Sequence, residues 1–113
     1  PELRALLVKT SGVAERVREA LAPWRERISV AAVFGSVARG DERADSDLDL
    51  LVVGDVGLLD LAPAVAEIEG AVGRRVDLLR YGPEEWPEVR EQSVMRAIRE
   101  GTKIVVMGSA DAL

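Results

Sequence analysis

Asp47 and Asp49 stand two residues apart at the start of an apolar run, in Asp45-Ser46-Asp47-Leu48-Asp49-Leu50. On a strand, side chains alternate, so both carboxylates share one face. Two like charges that close are costly unless a cation neutralises them, and a hard, oxygen-seeking ion such as Mg2+ suits such a pair. Asp77 sits in Val76-Asp77-Leu78-Leu79, a further apolar run in which a charge is expensive unless it is paired or bound to metal. The segment 54–74 is long enough for a helical crossover that returns a strand carrying Asp77 alongside the strand carrying Asp49. The expected result is a site of three carboxylates. Gly35-Ser36 follows directly on another apolar run. Glycine lets a backbone approach a ligand closely, and amide groups at a helix start together with a hydroxyl make an anion cradle. A phosphate chain held there beside metal-bound carboxylates is the layout that phosphoryl or nucleotidyl transfer requires.

Other chemistries are excluded by composition. The 113 residues contain no His and no Cys, which removes Ser-His-Asp and Cys-His catalysis, Cys- or His-ligated zinc and disulfides. Fifteen basic against twenty acidic residues give a net charge of −5. That balance disfavours non-specific grip on nucleic acid, which rests on neutralising phosphates, so direct nucleic-acid binding is not expected. No apolar run approaches the roughly 18–20 residues of a membrane span, and no signal peptide is visible. A cytoplasmic location is expected. An apolar content of 48% and this length fit one folded domain over 1–113, with an N-terminal helical segment at 1–24 and a catalytic core at 28–107. The chain opens on Pro1 rather than Met, which reads as a piece of a longer protein.

The elements that must position these residues alternate. Leu3, Leu6, Leu7, Val13, Ala14, Val17 and Leu21 carry helical spacing. Gly12 divides the segment into a short helix and a longer one capped by Thr10 or Ser11. Ile28–Phe34 reads as a buried strand, 41–46 as a polar loop and 48–53 as a second strand. Leu58, Leu59, Leu61, Val65, Ile68 and Val72 form a helical stripe, with Leu58, Leu59 and Leu61 as core, Pro63 in the first turn and Gly73 as C-cap. A third strand follows at 75–80. The stretch 84–100 is helical in part, divided at Pro87, with Val94, Met95 and Ile98 facing inward. A last strand is expected at 103–107. The order α-β-β-α-β-α-β predicts an α/β fold, a mixed sheet flanked by helices.

Gly35-Ser36, ten intervening residues, Asp47-x-Asp49 and a later strand Asp at Asp77 resemble the nucleotidyltransferases of the DNA polymerase beta superfamily. More narrowly, Gly35-Ser36-Val37-Ala38-Arg39-Gly40 and Ser46-Asp47-Leu48-Asp49-Leu50 resemble the minimal nucleotidyltransferases, the MNT domains, over about residues 28–80. Pro83-Glu84-Glu85-Trp86 and the segment 103–108 resemble MNT domains that follow a winged helix in bacterial and archaeal regulators. The resemblance implies a polymerase-beta-like mixed sheet that binds ATP or another nucleoside triphosphate with Mg2+, two ions in all. Asp47, Asp49 and Asp77 would hold the metals, and Asp77 would also help deprotonate the acceptor. Gly35 and Ser36 would hold the triphosphate. A hydroxyl would attack the α-phosphorus and pyrophosphate would leave. Some MNT proteins are antitoxins that inactivate a HEPN-domain toxin by adding AMP, which makes a HEPN-type toxin or other acceptor protein an expected partner. The alternative is a non-catalytic nucleotide-binding or interaction domain of a regulator or antitoxin.

The remaining features carry two readings each. Arg39 lies within the motif and is the candidate for a further phosphate contact, against a plain surface charge. Arg43, Arg74 and Arg75 are weighed the same way, with Arg74 and Arg75 favoured as surface charges at a strand entrance. Trp24, Trp86 and Tyr81 fit a structural role better than base stacking. The apolar segment 3–8 is a candidate surface for a homodimer or another partner.

Overall fold

The computed structural model describes residues 2–40 and 46–113, with backbone alone over 2–11. Helix α1 spans Glu2–Leu21 and runs through a 3-10 turn, Ala22–Arg27, into strand β1, Ile28–Phe34. Helix α2 is Gly35–Arg39, β2 is Leu48–Gly54, α3 is Leu58–Val72 and β3 is Val76–Tyr81. Helices α4, Trp86–Val89, and α5, Ser93–Glu100, precede β4, Ile104–Gly108, and a final 3-10 turn. The strands form one sheet in the order β3-β2-β1-β4. β1 pairs antiparallel with β2 and β4, while β2 and β3 are parallel. The expected mixed sheet flanked by helices is therefore what the chain forms.

The sheet is covered on both faces, which is why β1 and β2 read as continuous apolar runs rather than alternating ones. Ala31 and Val33 of β1 and Leu48, Leu50 and Val52 of β2 pack with Val17 and Leu21 of α1 and Leu61 and Ile68 of α3. The opposite face packs Val30, Leu51 and Val53 against Trp86, Met95 and Leu113. Trp86 is tied down by its indole N–H, which donates to the Ala112 carbonyl at 2.9 Å, and its ring lies 5.8 Å from that of Tyr81. Both aromatics are thus structural, as expected.

Four local expectations need correction. α1 continues through Gly12, which is exposed and costs a helix only about 1 kcal/mol relative to Ala. Pro63 lies six residues into α3 rather than in its first turn; it is exposed there, with its ring on the solvent side. Leu61 is core, but Leu58 and Leu59 are 63% and 90% exposed, because the sheet-facing stripe of α3 begins at Leu61. Val94 is 66% exposed while Met95 is buried, since adjacent helical positions point about 100° apart. Gly73 closes α3 as expected, at φ 71° with its N–H on the Glu69 carbonyl at 2.9 Å. Among the described residues no helix is long and apolar enough to cross a membrane.

Candidate active site

The parallel register of β2 and β3 places Asp49 directly beside Asp77. Both belong to the sheet face that α4 and α5 cover, because Asp49 alternates with Leu48 and Leu50, which face α1 and α3. Asp47 has the same parity and stands just before β2. The short helices α4 and α5 reach only part of that face, so its carboxylate end stays open: Asp47 and Asp77 are exposed and Asp49 is half-buried. The desolvated carboxylate is therefore Asp49. Asp77, read from its apolar run as a buried charge, lies at the start of an edge strand facing water.

The site's electrostatics centre on Asp49. Its carboxyl is held above the ordinary 3.8, first by burial, then by the negative charges of Asp77 and Asp47. A hydrogen bond with Asp77 pushes the same way, and the Arg39 guanidinium opposes the rise. Three carboxylates thus crowd one end of the sheet, and among the described residues the Arg39 guanidinium is the cationic group acting on Asp49. Among the described residues no set of three carboxylates stands arranged to hold a metal ion. The donor set nevertheless fits a hard divalent cation in its chemistry, since oxygen-only ligands of excess negative charge are what such ions select.

Gly35 explains why glycine is needed at the strand-to-helix turn. Its φ is +71°, and a Cβ built there would lie 2.1 Å from Asp49 Oδ2. The glycine lets the β1–α2 corner press directly against the carboxylate. α2 ends at Gly40, also left-handed at φ 76°, whose N–H returns to the Val37 carbonyl at 3.2 Å. Ser36 is half-buried in the turn and Arg39 is exposed. Below, the mouth of β2 is pinned to β3: Leu48 N–H donates to the Arg75 carbonyl at 2.8 Å, and Arg74 Nη1 donates to the Ser46 carbonyl at 3.0 Å. Arg74 thus positions the segment that carries Asp47. Arg43 and Asp45 lie outside the described residues.

The structure also brings in residues that sequence reasoning missed. Val94 and Ile98 of α5, with Thr102 beyond it, face Phe34, Gly35 and Arg39 across a cleft of about 380 Å³. The signal was present in the helical stripe of α5, but an apolar residue on a stripe is assigned to the core unless the tertiary packing says otherwise.

A profile for nucleotidyltransferase domains matches residues 13–100. A protein of Methanocaldococcus jannaschii named "putative protein adenylyltransferase" is 43% identical over 53 residues, which is 45% of this chain and 57% of that protein. The chain spans about half the length of the curated relatives it matches. A solved "putative minimal nucleotidyltransferase" is 39% identical, with 76% of this chain and 90% of that one covered and a TM-score of 0.54. A toxin–antitoxin crystallised with AMP-PNP shares the fold at a TM-score of 0.63 and 17% identity, covering 87% of this chain and 75% of that one.

Proposed function

The chain belongs to the nucleotidyltransferase domain family, and on that premise we propose that it transfers a nucleoside monophosphate, AMP from ATP, to a hydroxyl acceptor on a partner protein, with release of pyrophosphate. The observation that carries the reading is the pairing of Asp49 with Asp77 in register, beside Asp47 and under Gly35. Asp47, Asp49 and Asp77 would hold Mg2+, two ions in all. Bound divalent cations neutralise phosphate charge, polarise the α-phosphorus and steady the departing pyrophosphate. Gly35 lets the β1–α2 corner close on Asp49, which would keep the Ser36 hydroxyl, a donor for the triphosphate, beside the carboxylates. Arg39 adds positive charge on the same side. The acceptor oxygen forms a bond to the α-phosphorus as the bridge to the β-phosphate breaks, and Asp77, facing water, receives the acceptor's proton. A protein acceptor is supported by the names of the curated relatives, and a toxin as that acceptor by the toxin–antitoxin that shares the fold.

The test is transfer of label from α-labelled ATP in the presence of Mg2+ and candidate acceptors, together with calorimetric ATP binding. Mg2+-dependent binding that disappears in Asp47→Asn, and transfer that disappears in Asp49→Asn, are expected. Transfer that persists in Asp49→Asn would overturn the reading. Mg2+-dependent ATP binding without transfer to any acceptor would favour the non-catalytic alternative.

A further inference from the structure

We propose that Glu69, near the end of α3, is a positioning residue for Asp77 and acts through the backbone amide of Val76. This rests on the reading of the carboxylate end as a metal–triphosphate site and adds to it the group that fixes where β3 begins.

Glu69 brackets the turn between α3 and β3 from both sides. Its backbone carbonyl accepts the Gly73 N–H at 2.9 Å, where the helix ends. Its Oε2 accepts the Val76 N–H at 2.9 Å, where the strand starts. The carbonyl alone serves the helix end, so the side chain is committed to the strand. Asp77 is the next residue, and the side-chain bond therefore fixes the backbone directly ahead of it.

The sheet leaves that amide without a strand partner. β3 is an edge strand, with β2 as its neighbour. Leu48 of β2 stands opposite Val76 but donates to the carbonyl of Arg75. In a parallel ladder a residue bonded in this way brackets the residue opposite, whose own N–H turns to the other side. The Val76 N–H thus faces away from β2, and a half-buried amide left unpaired there is costly.

Asp77 gives the strand a reason to move. It is exposed, and its charge acts on that of Asp49 at the mouth of β2. Like charges on neighbouring strands push the two ends apart until a cation lies between them. The Glu69 bond holds the first residue of β3 against that repulsion, so that Asp77 stays level with Asp49 before any metal arrives.

The experiment compares Glu69→Ala, Glu69→Gln and, as a control, Glu67→Ala, an exposed residue of the same helix. Amide hydrogen exchange at Val76 and Asp77 is read by NMR without metal. Affinity for ATP is read by calorimetry with manganese, which takes the same oxygen ligands as magnesium. Glu69→Ala is expected to speed exchange at both amides and to weaken manganese–ATP binding, each by about fivefold, the ordinary net worth of one hydrogen bond. Glu69→Gln keeps an oxygen acceptor and should restore most of both, and Glu67→Ala should change neither. In an Asp77→Asn background Glu69→Ala should cost no further affinity, because the carboxylate that it positions is gone. Unchanged exchange or unchanged affinity in Glu69→Ala would overturn the positioning role while leaving the metal–triphosphate site standing. So would a Glu69→Gln as impaired as the alanine variant, or a loss that persists undiminished beside Asp77→Asn. Absence of manganese-dependent ATP binding by the unaltered chain would overturn the metal–triphosphate site and this inference with it.

Discussion

Asp49 is the residue on which burial, charge and space converge. In the metal-free protein its raised carboxyl binds a proton that the unfolded chain has already released. The native state therefore holds more protons than the unfolded one above the ordinary 3.8, and stability must fall with rising pH there. The contribution is complete below 3.8 and is lost as pH passes through the raised folded value. Asp49→Asn is expected to remove that loss. Its urea midpoint without divalent cations should exceed that of the unaltered chain at pH 7, and the gap should close towards pH 3.5. A gap that widens on acidification would contradict the crowding argument. Gly35→Ala tests the same contact from the other side. The left-handed backbone alone costs about 1–2 kcal/mol for an alanine, and the added carbon must push Asp49 Oδ2 aside. ATP binding is expected to fall by at least tenfold in a protein that remains folded by circular dichroism.

The elements supply the registers that make these contacts possible. A one-residue slip of β3 against β2 would send Asp77 to the opposite face and separate it from Asp49. The Arg74 bond to the Ser46 carbonyl and the Leu48 bond to the Arg75 carbonyl hold that register at the site's edge. Removing the guanidinium in Arg74→Ala is expected to weaken Mg2+-dependent ATP binding while moving the thermal midpoint by only a few degrees; a large midpoint loss with intact binding would show that Arg74 serves the fold alone. At the other end, the Gly57 N–H donates to Asp60 at 2.9 Å and holds its carboxyl below the ordinary range, helped by the Arg27 guanidinium that pairs with it. A lowered carboxyl stabilises above its ordinary value and loses that contribution as pH falls, the reverse of Asp49. Asp60→Ala is accordingly expected to lower the urea midpoint at pH 7 and to make little difference at pH 3.

At the scale of the molecule, the two faces of the sheet are treated differently. α1 and α3 cover one face with long helices, so substitutions there act on stability rather than binding. Ile68→Ala, at a residue 1% exposed, is expected to cost about 2–5 kcal/mol without changing ATP affinity in whatever fraction remains folded. α4 and α5 cover only part of the other face, and the carboxylates occupy what they leave. Ligand linkage gives the corresponding whole-molecule prediction. Mg2+ and ATP together should stabilise the fold by about 2.7 kcal/mol at a hundredfold excess over Kd, seen as a raised thermal midpoint, and chelation of the metal should abolish the shift.

Periodicity placed every strand to within a residue or two, and the parity of Asp47 and Asp49 follows from their spacing alone. The Gly35-Ser36 and Asp47-x-Asp49 motifs were enough to identify the family. The separation of Leu58 and Leu59 from the core, the division of Val94 from Met95 and the choice of Asp49 rather than Asp77 as the desolvated carboxylate were not legible in the chain. Each depends on how far a packed neighbour extends, and a hydrophobic pattern records that a side chain is apolar without recording whether anything covers it. The sequence by itself determined the elements, the mixed sheet and the identities of the charged groups. Only the tertiary structure decided which of those groups lose water, because the β1–α2 corner presses on Asp49 while Asp47 and Asp77 are left exposed.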